Sequence, residues 1–181
     1  MYRLKSLKYL VTTALTTALL VAVAGVSQFI RLGYDKGILQ LADGLFLALI
    51  TLIKGPMLLI SGVLYVTIID VITGFPIFIP ASIVIRVLMF LITYFLSRVL
   101  SRYGAIFLSS LMLFWYVLYS YLVSNFDSAV AIGELINDTI QVAVSTILGI
   151  TLTIVFDRVN QHSTNKIWDD EQFWHYKKSN E

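Results

Sequence analysis

The chain alternates long apolar runs with short polar interruptions, and this pattern predicts six membrane-spanning helices. A helix needs about 20 apolar residues to cross a bilayer, and fewer where neighbouring helices bury it. Charged residues, glycine and proline separate the runs, and the second run is short. The predicted spans cover residues 9–30, 38–53, 57–73, 82–100, 104–124 and 134–156. Residues 1–158 are therefore expected to form one transmembrane domain, followed by a polar cytoplasmic tail over residues 159–181.

The basic residues predict how these spans are oriented. Lysine and arginine in loops favour the cytoplasmic side of a membrane. In a six-span topology one side has only Arg31 and Lys36. The other side has Arg3, Lys5, Lys8, Lys54, Arg98, Arg102 and Arg158. We therefore expect both termini to be cytoplasmic, with short connections and antiparallel neighbouring helices.

The composition supports a membrane protein and excludes several kinds of chemistry. Only 13% of the 181 residues are charged and 58% are hydrophobic, whereas a soluble domain has about a quarter charged residues. A net charge of +2 gives no reason to expect a nucleic-acid partner. Cysteine is absent, and both histidines lie in the predicted tail. We therefore expect no disulfide, no thiol catalysis, no metal site and no cofactor.

Two charged residues, Asp70 and Arg86, lie among apolar neighbours at the ends of the third and fourth spans. The sequence between them contains Gly74, Pro76 and Pro80. Proline fixes φ and removes a backbone donor, so this segment is expected to be a stiff outer loop rather than a helix. A charge inside a membrane is costly unless it is paired or hydrated. Asp70 and Arg86 are therefore expected to pair with each other, to line a polar cavity, or both.

Further polar and aromatic side chains of the second, fifth and sixth spans fall at the same predicted depth. Residues four apart share a helix face, and the inner halves of these spans are almost purely aliphatic. The pattern predicts a pocket that opens outward and suits a small, partly aromatic, hydrogen-bonding molecule. Trp115 is expected either to contact that molecule or to pack inside the bundle. The residues are Asp43; Trp115, Tyr116 and Tyr119; and Glu134, Asn137, Asp138, Gln141 and Ser145.

The first span contains a stripe of small residues. Ala14, Ala18 and Ala22 follow one another at four-residue spacing. Small residues on one helix face let a second helix approach closely within lipid. The stripe therefore serves either internal packing or the docking of another membrane protein.

These features together resemble one known family. They are the segment LADGLFLALITLIKGP, the Asp70-x-x-x-Gly-Phe-Pro-Ile-Phe-Ile-Pro linker, Arg86, the amides of INDTIQVAVSTILGI and Ala14-x-x-x-Ala18. Over about residues 5–157 the chain resembles the substrate-binding S component of an energy-coupling factor (ECF) vitamin transporter. It is most similar to the riboflavin, pyridoxine or hydroxymethylpyrimidine types.

The resemblance implies a vitamin carrier of the bacterial plasma membrane. Family members bind a vitamin or its precursor in an outward-facing pocket formed by the loops after helices 1 and 3 and the outer halves of helices 4 to 6. The alanine stripe matches the docking face for a transmembrane coupling subunit, and two ABC ATPases complete the complex. The S component is thought to topple in the lipid bilayer to carry its substrate inward. The first candidate substrate is pyridoxine or hydroxymethylpyrimidine, with riboflavin, pantothenate and other vitamins open.

By this resemblance the substrate-binding residues are expected among Asp43, Asp70, Arg86, Trp115, Tyr119, Asn137 and Gln141. The chain contains no G-x-x-x-x-G-K-[ST] phosphate-binding motif, so ATP hydrolysis is expected of its partners and the chain itself is not expected to be an enzyme. Two features depart from the family pattern, namely the short second helix with Asp43 and the aromatic tail.

Two other functions remain open at the level of sequence. One is a structural membrane scaffold of the kind found in bacterial cell-shape complexes, which have similar size and topology. The other is an intramembrane enzyme that uses buried acids in proton transfer. No nucleophile–base pair with a familiar spacing supports that second possibility.

Overall fold

The protein is described by a computed structural model over residues 7–29, 31–32, 37–53 and 55–162. The predicted tail from residue 163 onward lies outside these residues, as do Arg3, Lys5, Lys36 and Lys54. The helices are α1 (Leu7–Ser27), α2 (Leu41–Leu52), α3 (Met57–Ile72), α4 (Ile79–Leu96), α5 (Arg102–Ser110), α6 (Trp115–Val123) and α7 (Ser128–His162). Two-residue strands, β1 (Arg31–Leu32) and β2 (Gly37–Ile38), pair antiparallel between α1 and α2.

The described chain is an α-helical membrane protein. Four helical segments are long and apolar enough to cross a bilayer. They are Tyr9–Ser27, Pro76–Leu96, Arg102–Val123 and Ser128–Val159. The apolar helices α2 and α3 are shorter, with 12 and 16 residues. At 1.5 Å per residue α2 is about 18 Å long, less than the hydrocarbon thickness of a bilayer.

The short helix α2 forms the centre of the bundle. Every residue from Ala42 to Leu52 is buried, which explains why this run is apolar on all sides. Its tightest neighbour is α7: a Cβ added to Gly44 would lie 2.8 Å from Leu148 Cβ and 3.0 Å from the Ser145 carbonyl oxygen. The glycine therefore lets the backbones of α2 and α7 approach closely.

Five of the seven residues from Gly74 to Pro80 are helical, so the predicted non-helical loop is wrong. Gly74 has a φ of +80° and ends α3, with the Phe75 amide donating to the Asp70 carbonyl oxygen at 2.9 Å. A 3₁₀ turn over Pro76–Phe78 then leads directly into α4. Both prolines lie in first turns, where the missing N–H would have no helical partner.

The last two predicted spans also differ from the structure at their ends and in continuity. The fifth is divided into α5 and α6 by a 3₁₀ turn over Leu111–Phe114. The sixth, α7, begins at Ser128 instead of residue 134. Its first turn is capped by Asp127, whose Oδ1 accepts a hydrogen bond from the Ala129 amide at 2.8 Å.

Candidate functional site

A cavity of about 320 Å³ lies at one end of the bundle. Its lining comes from the ends of α1, α3 and α6 and from the beginnings of α2, α4 and α7. Consecutive helical segments therefore run in alternating directions, and Leu7 and His162 lie at the end away from the cavity. A volume near 300 Å³ is at the small end of the range for ligand pockets.

A buried ion pair lies directly behind the cavity wall. Arg86 Nη2 is 2.6 Å from Asp43 Oδ1, and both side chains are 1% exposed. The Tyr65 hydroxyl donates to Asp43 Oδ1 at 2.6 Å and accepts from Arg86 Nε at 2.6 Å. Each charge therefore has an ionic partner and a shared phenol, which offsets the cost of burying it.

This pairing corrects the expectation that Arg86 pairs with Asp70. The carboxylate bound by Arg86 comes from the central helix α2, whereas Asp70 belongs to the wall of the cavity. Arg86 itself is absent from the lining. Asp43 has both roles, because one of its oxygens holds Arg86 and its side chain also reaches the cavity.

Gln141 fastens the beginning of α2 to α7. Its Oε1 accepts a hydrogen bond from the backbone N–H of Gln40 at 2.9 Å, and its Nε2 donates to the backbone carbonyl oxygen of Gln40 at 2.7 Å. The same Nε2 lies 3.0 Å from Asp43 Oδ2. Gln141 lines the cavity, but its polar atoms are already occupied by the protein.

Four polar atoms of the cavity wall have no hydrogen-bond partner in the described part of the chain. They are Asp70 Oδ2, Asp138 Oδ2, Ser120 Oγ and Gln28 Nε2. The Asp70 and Asp138 side chains are only 7% and 6% exposed. Buried polar atoms almost always have partners, so these four atoms are expected to bond to water or to a molecule that enters the cavity.

Four of the five polar residues predicted on α7 reach the cavity together, whereas the fifth, Ser145, is not among the described lining residues. Glu134, Asn137, Asp138 and Gln141 all line it, as expected for positions three and four apart on one helix face. With Asp43 and Asp70 the wall carries four carboxyl groups. No lysine, arginine or histidine is among the lining residues that the structure describes.

An aromatic patch completes the wall. Phe75, Phe78 and Tyr116 line the cavity, and the Phe78 and Tyr116 rings lie 6.4 Å apart between centroids. The Tyr116 hydroxyl donates to Ser82 Oγ at 2.8 Å. The linker after α3 thus supplies two of the three rings. The Schellman turn at Gly74 ends α3 directly before the first of them.

The structure corrects the predicted placement of Trp115 and Tyr119, neither of which lines the described cavity. Trp115 is 50% exposed on the outside of the bundle. The Tyr119 hydroxyl instead donates to the Ile77 carbonyl oxygen at 2.6 Å. The inward face of α6 is the adjacent one, formed by Tyr116 and Ser120.

Several lining residues escaped the sequence analysis. Ser120 and Ser124 follow the predicted pocket residue Tyr116 at four-residue spacing, and this row of hydroxyl groups could have indicated the inward face of α6. Gln28 and Gln40 flank the β1–β2 hairpin at the ends of α1 and α2. No periodicity identifies them, because each stands alone at a helix end.

The alanine stripe lies on the outer surface of α1. Ala14, Ala18 and Ala22 are all exposed, whereas the opposite face is buried against α3 and includes the 2.7 Å hydrogen bond between Thr16 Oγ1 and Ser61 Oγ. The stripe therefore does not pack inside the described bundle.

Comparisons with known proteins add no relative, since no protein-family model, no curated protein and no solved structure matches the chain. The chemistry must be inferred from the site itself. Among the described residues no group of three or more histidine, aspartate and glutamate side chains could hold a metal ion. The wall offers carboxylates, amides, hydroxyls and aromatic rings.

Proposed function

We propose that this chain is the substrate-binding S component of an ECF-type vitamin importer in a bacterial plasma membrane. It binds a small water-soluble vitamin or precursor in the cavity between the helix ends. A transmembrane coupling subunit and two ABC ATPases then drive uptake. The chain itself catalyses no reaction, and pyridoxine or hydroxymethylpyrimidine is the first substrate to test.

One observation carries this proposal: four polar atoms without partners in the described residues converge on one small cavity. They come from the residue after α1 and from α3, α6 and α7. An atom left unpaired in a buried site costs about 1–3 kcal/mol. Packing alone does not explain four such atoms on separate elements, because an apolar side chain at any of these positions would have avoided the cost. A ligand that hydrogen-bonds them gives a reason for all four.

The proposal includes a six-span topology with both termini in the cytoplasm. The short helices α2 and α3 then complete the crossing, with α2 sheltered from lipid by its neighbours. Arg98, Arg102 and Arg158 lie at the end of the bundle opposite the cavity. Positive residues favour the cytoplasm, so the cavity faces outward.

The exposed alanine stripe supports a partner within the membrane. Ala14, Ala18 and Ala22 would let a helix of the coupling subunit approach the α1 backbone closely. A structural scaffold would also have docking faces. It would have no need for a cavity in which buried carboxyl oxygens lack partners among the described residues, and this favours transport over the scaffold.

Binding and uptake assays test the proposal. The detergent-purified chain is titrated with water-soluble vitamins and their precursors, and uptake is measured in cells that express it with an ECF coupling module. We expect one compound to bind with a dissociation constant in the micromolar range or below, and its uptake to require the coupling module. Failure of every compound to bind would overturn the proposal.

A further inference from the structure

Acidic side chains outnumber basic ones in the described wall of the cavity. Asp43 is neutralised by Arg86 behind it. Asp70, Glu134 and Asp138 remain, and among the described lining residues no basic side chain opposes them. A buried carboxylate keeps its charge where a positive group pairs with it and otherwise takes up a proton, so a cation inside the cavity would stabilise the charged form of these three groups.

The two most buried of these carboxyl groups are free to make that contact. Asp70 and Asp138 are each more than nine-tenths buried, and each has an Oδ2 with no hydrogen-bond partner among the described residues. Both line the cavity, one from α3 and the other from α7. Glu134 lies one helical turn before Asp138 and adds a third carboxyl group on the same wall.

The remaining lining suits an organic cation better than a metal ion. Phe75, Phe78 and Tyr116 are among the lining residues, and the faces of aromatic rings attract ammonium groups and cationic heterocycles. The space of about 320 Å³ is far larger than a bare ion requires. An acidic, aromatic cavity of this size fits a flat molecule with one basic nitrogen.

We infer that the substrate of this cavity carries a positive charge, as a protonated amine or a cationic heteroaromatic ring held between Asp70 and Asp138. The inference rests on the proposed function and narrows its substrate class. Arg86 cannot serve an anionic substrate instead, because its guanidinium is 1% exposed and already bonded to Asp43 and Tyr65.

Matched pairs of compounds test the inference. Pyridoxamine and pyridoxine differ by an aminomethyl group in place of a hydroxymethyl group, and thus by one positive charge at pH 7. The 5-aminomethyl and 5-hydroxymethyl forms of 4-amino-2-methylpyrimidine form a second pair. Calorimetric titration of the full-length chain in detergent measures all four dissociation constants. A charge-assisted hydrogen bond predicts about ten- to hundredfold tighter binding of the cation in at least one pair.

Two Asp→Asn variants test whether the carboxylate of Asp138 is responsible for the tighter binding of the cation. Asp138→Asn should reduce the cation's affinity by about tenfold or more, and by a larger factor than it reduces the neutral partner's affinity. Asp127→Asn is the control, because it removes a charge from the exposed loop before α7 and keeps a capping side chain. The thermal stability of both variants is measured alongside, so that misfolding is recognised.

The outcomes separate the inference from the proposed function. A neutral compound that binds as tightly as its cationic partner overturns the inference and leaves a vitamin carrier in place. Failure of both cations to bind at about 1 mM overturns the inference as well. Only the failure of neutral and cationic vitamins alike overturns the carrier.

Discussion

Arg86 is held by Asp43 rather than by Asp70, at a distance of 2.6 Å between Nη2 and Oδ1. The pair joins the central helix α2 to α4, and Tyr65 of α3 bridges the two charges. Three helices are thereby fastened just behind the cavity. Asp70 Oδ2 has no hydrogen-bond partner in the described part of the chain and can therefore bond to a ligand.

Removal of the Arg86 charge should destabilise the bundle strongly. Arg86→Met leaves Asp43 buried with only hydrogen bonds to offset its charge, and breaking a buried pair in this way costs about 3–5 kcal/mol. Arg102→Met is the matched control, because the Arg102–Asp157 pair at 3.3 Å is partly exposed and exposed pairs contribute about 0–1 kcal/mol. Thermal unfolding in detergent measures both. Equal losses in the two variants would contradict the structural role of the buried pair.

Alanine substitutions at Gln141 and Asn137 should differ in their effect on the melting temperature. Gln141→Ala removes the clamp on the Gln40 backbone, so we expect weaker ligand binding and a lower melting temperature. Asn137 lines the cavity without such a clamp, and Asn137→Ala should weaken binding while the melting temperature stays nearly unchanged. If both variants lose stability to the same extent, Asn137 is structural too.

A bulky residue on the alanine stripe should block assembly without affecting the cavity. Ala18→Trp places a large side chain on the exposed face of α1, where the coupling subunit is proposed to dock. We expect lost co-purification with that subunit, lost uptake and an unchanged dissociation constant for the ligand. Ile147→Trp, on an exposed position of α7, is the control. Equal loss of assembly in both variants would place the docking face elsewhere.

The close approach of α2 and α7 predicts a large effect from one added methyl group. Gly44→Ala would bring the new Cβ within 2.8 Å of Leu148, and such overpacking costs about 1–3 kcal/mol. Gly25→Ala meets nothing within 4 Å and should be neutral or slightly stabilising, because alanine favours helix more than glycine does. Unfolding measurements that rank the two variants in the opposite order would refute the tight α2–α7 contact.

The sequence identified the helices well because apolar runs and helix breakers act locally. The run before Lys54 and the glycine at position 74 place the ends of α2 and α3 within a residue or two of the structure. The prediction for the linker before α4 was wrong because proline was treated as a helix breaker. Pro76 and Pro80 instead lie in the first turns of helical segments. The early start of α7 depends on a cap by Asp127, which a hydrophobicity pattern does not show.

The location of the polar residues at one end of the bundle was easier to predict than the contacts among their side chains. Polar residues do gather at one end of the bundle, but which acid pairs with Arg86 depends on how α2 sits between its neighbours. Two acids at similar depth, Asp43 and Asp70, were equivalent from sequence spacing alone. The face of α6 was misjudged because aromatic residues were given more weight than the small hydroxyl residue Ser120.

Native mass spectrometry of the purified protein tests most directly whether the cavity holds a substrate. We expect the wild-type chain to retain a molecule of vitamin size, and Ser120→Trp, which fills the cavity, to lose it. Leu118→Trp changes an exposed position of the same helix and should retain the molecule. A wild-type chain that neither retains nor binds any vitamin, or a Ser120→Trp variant that binds as well as the wild type, would contradict a substrate site in this cavity.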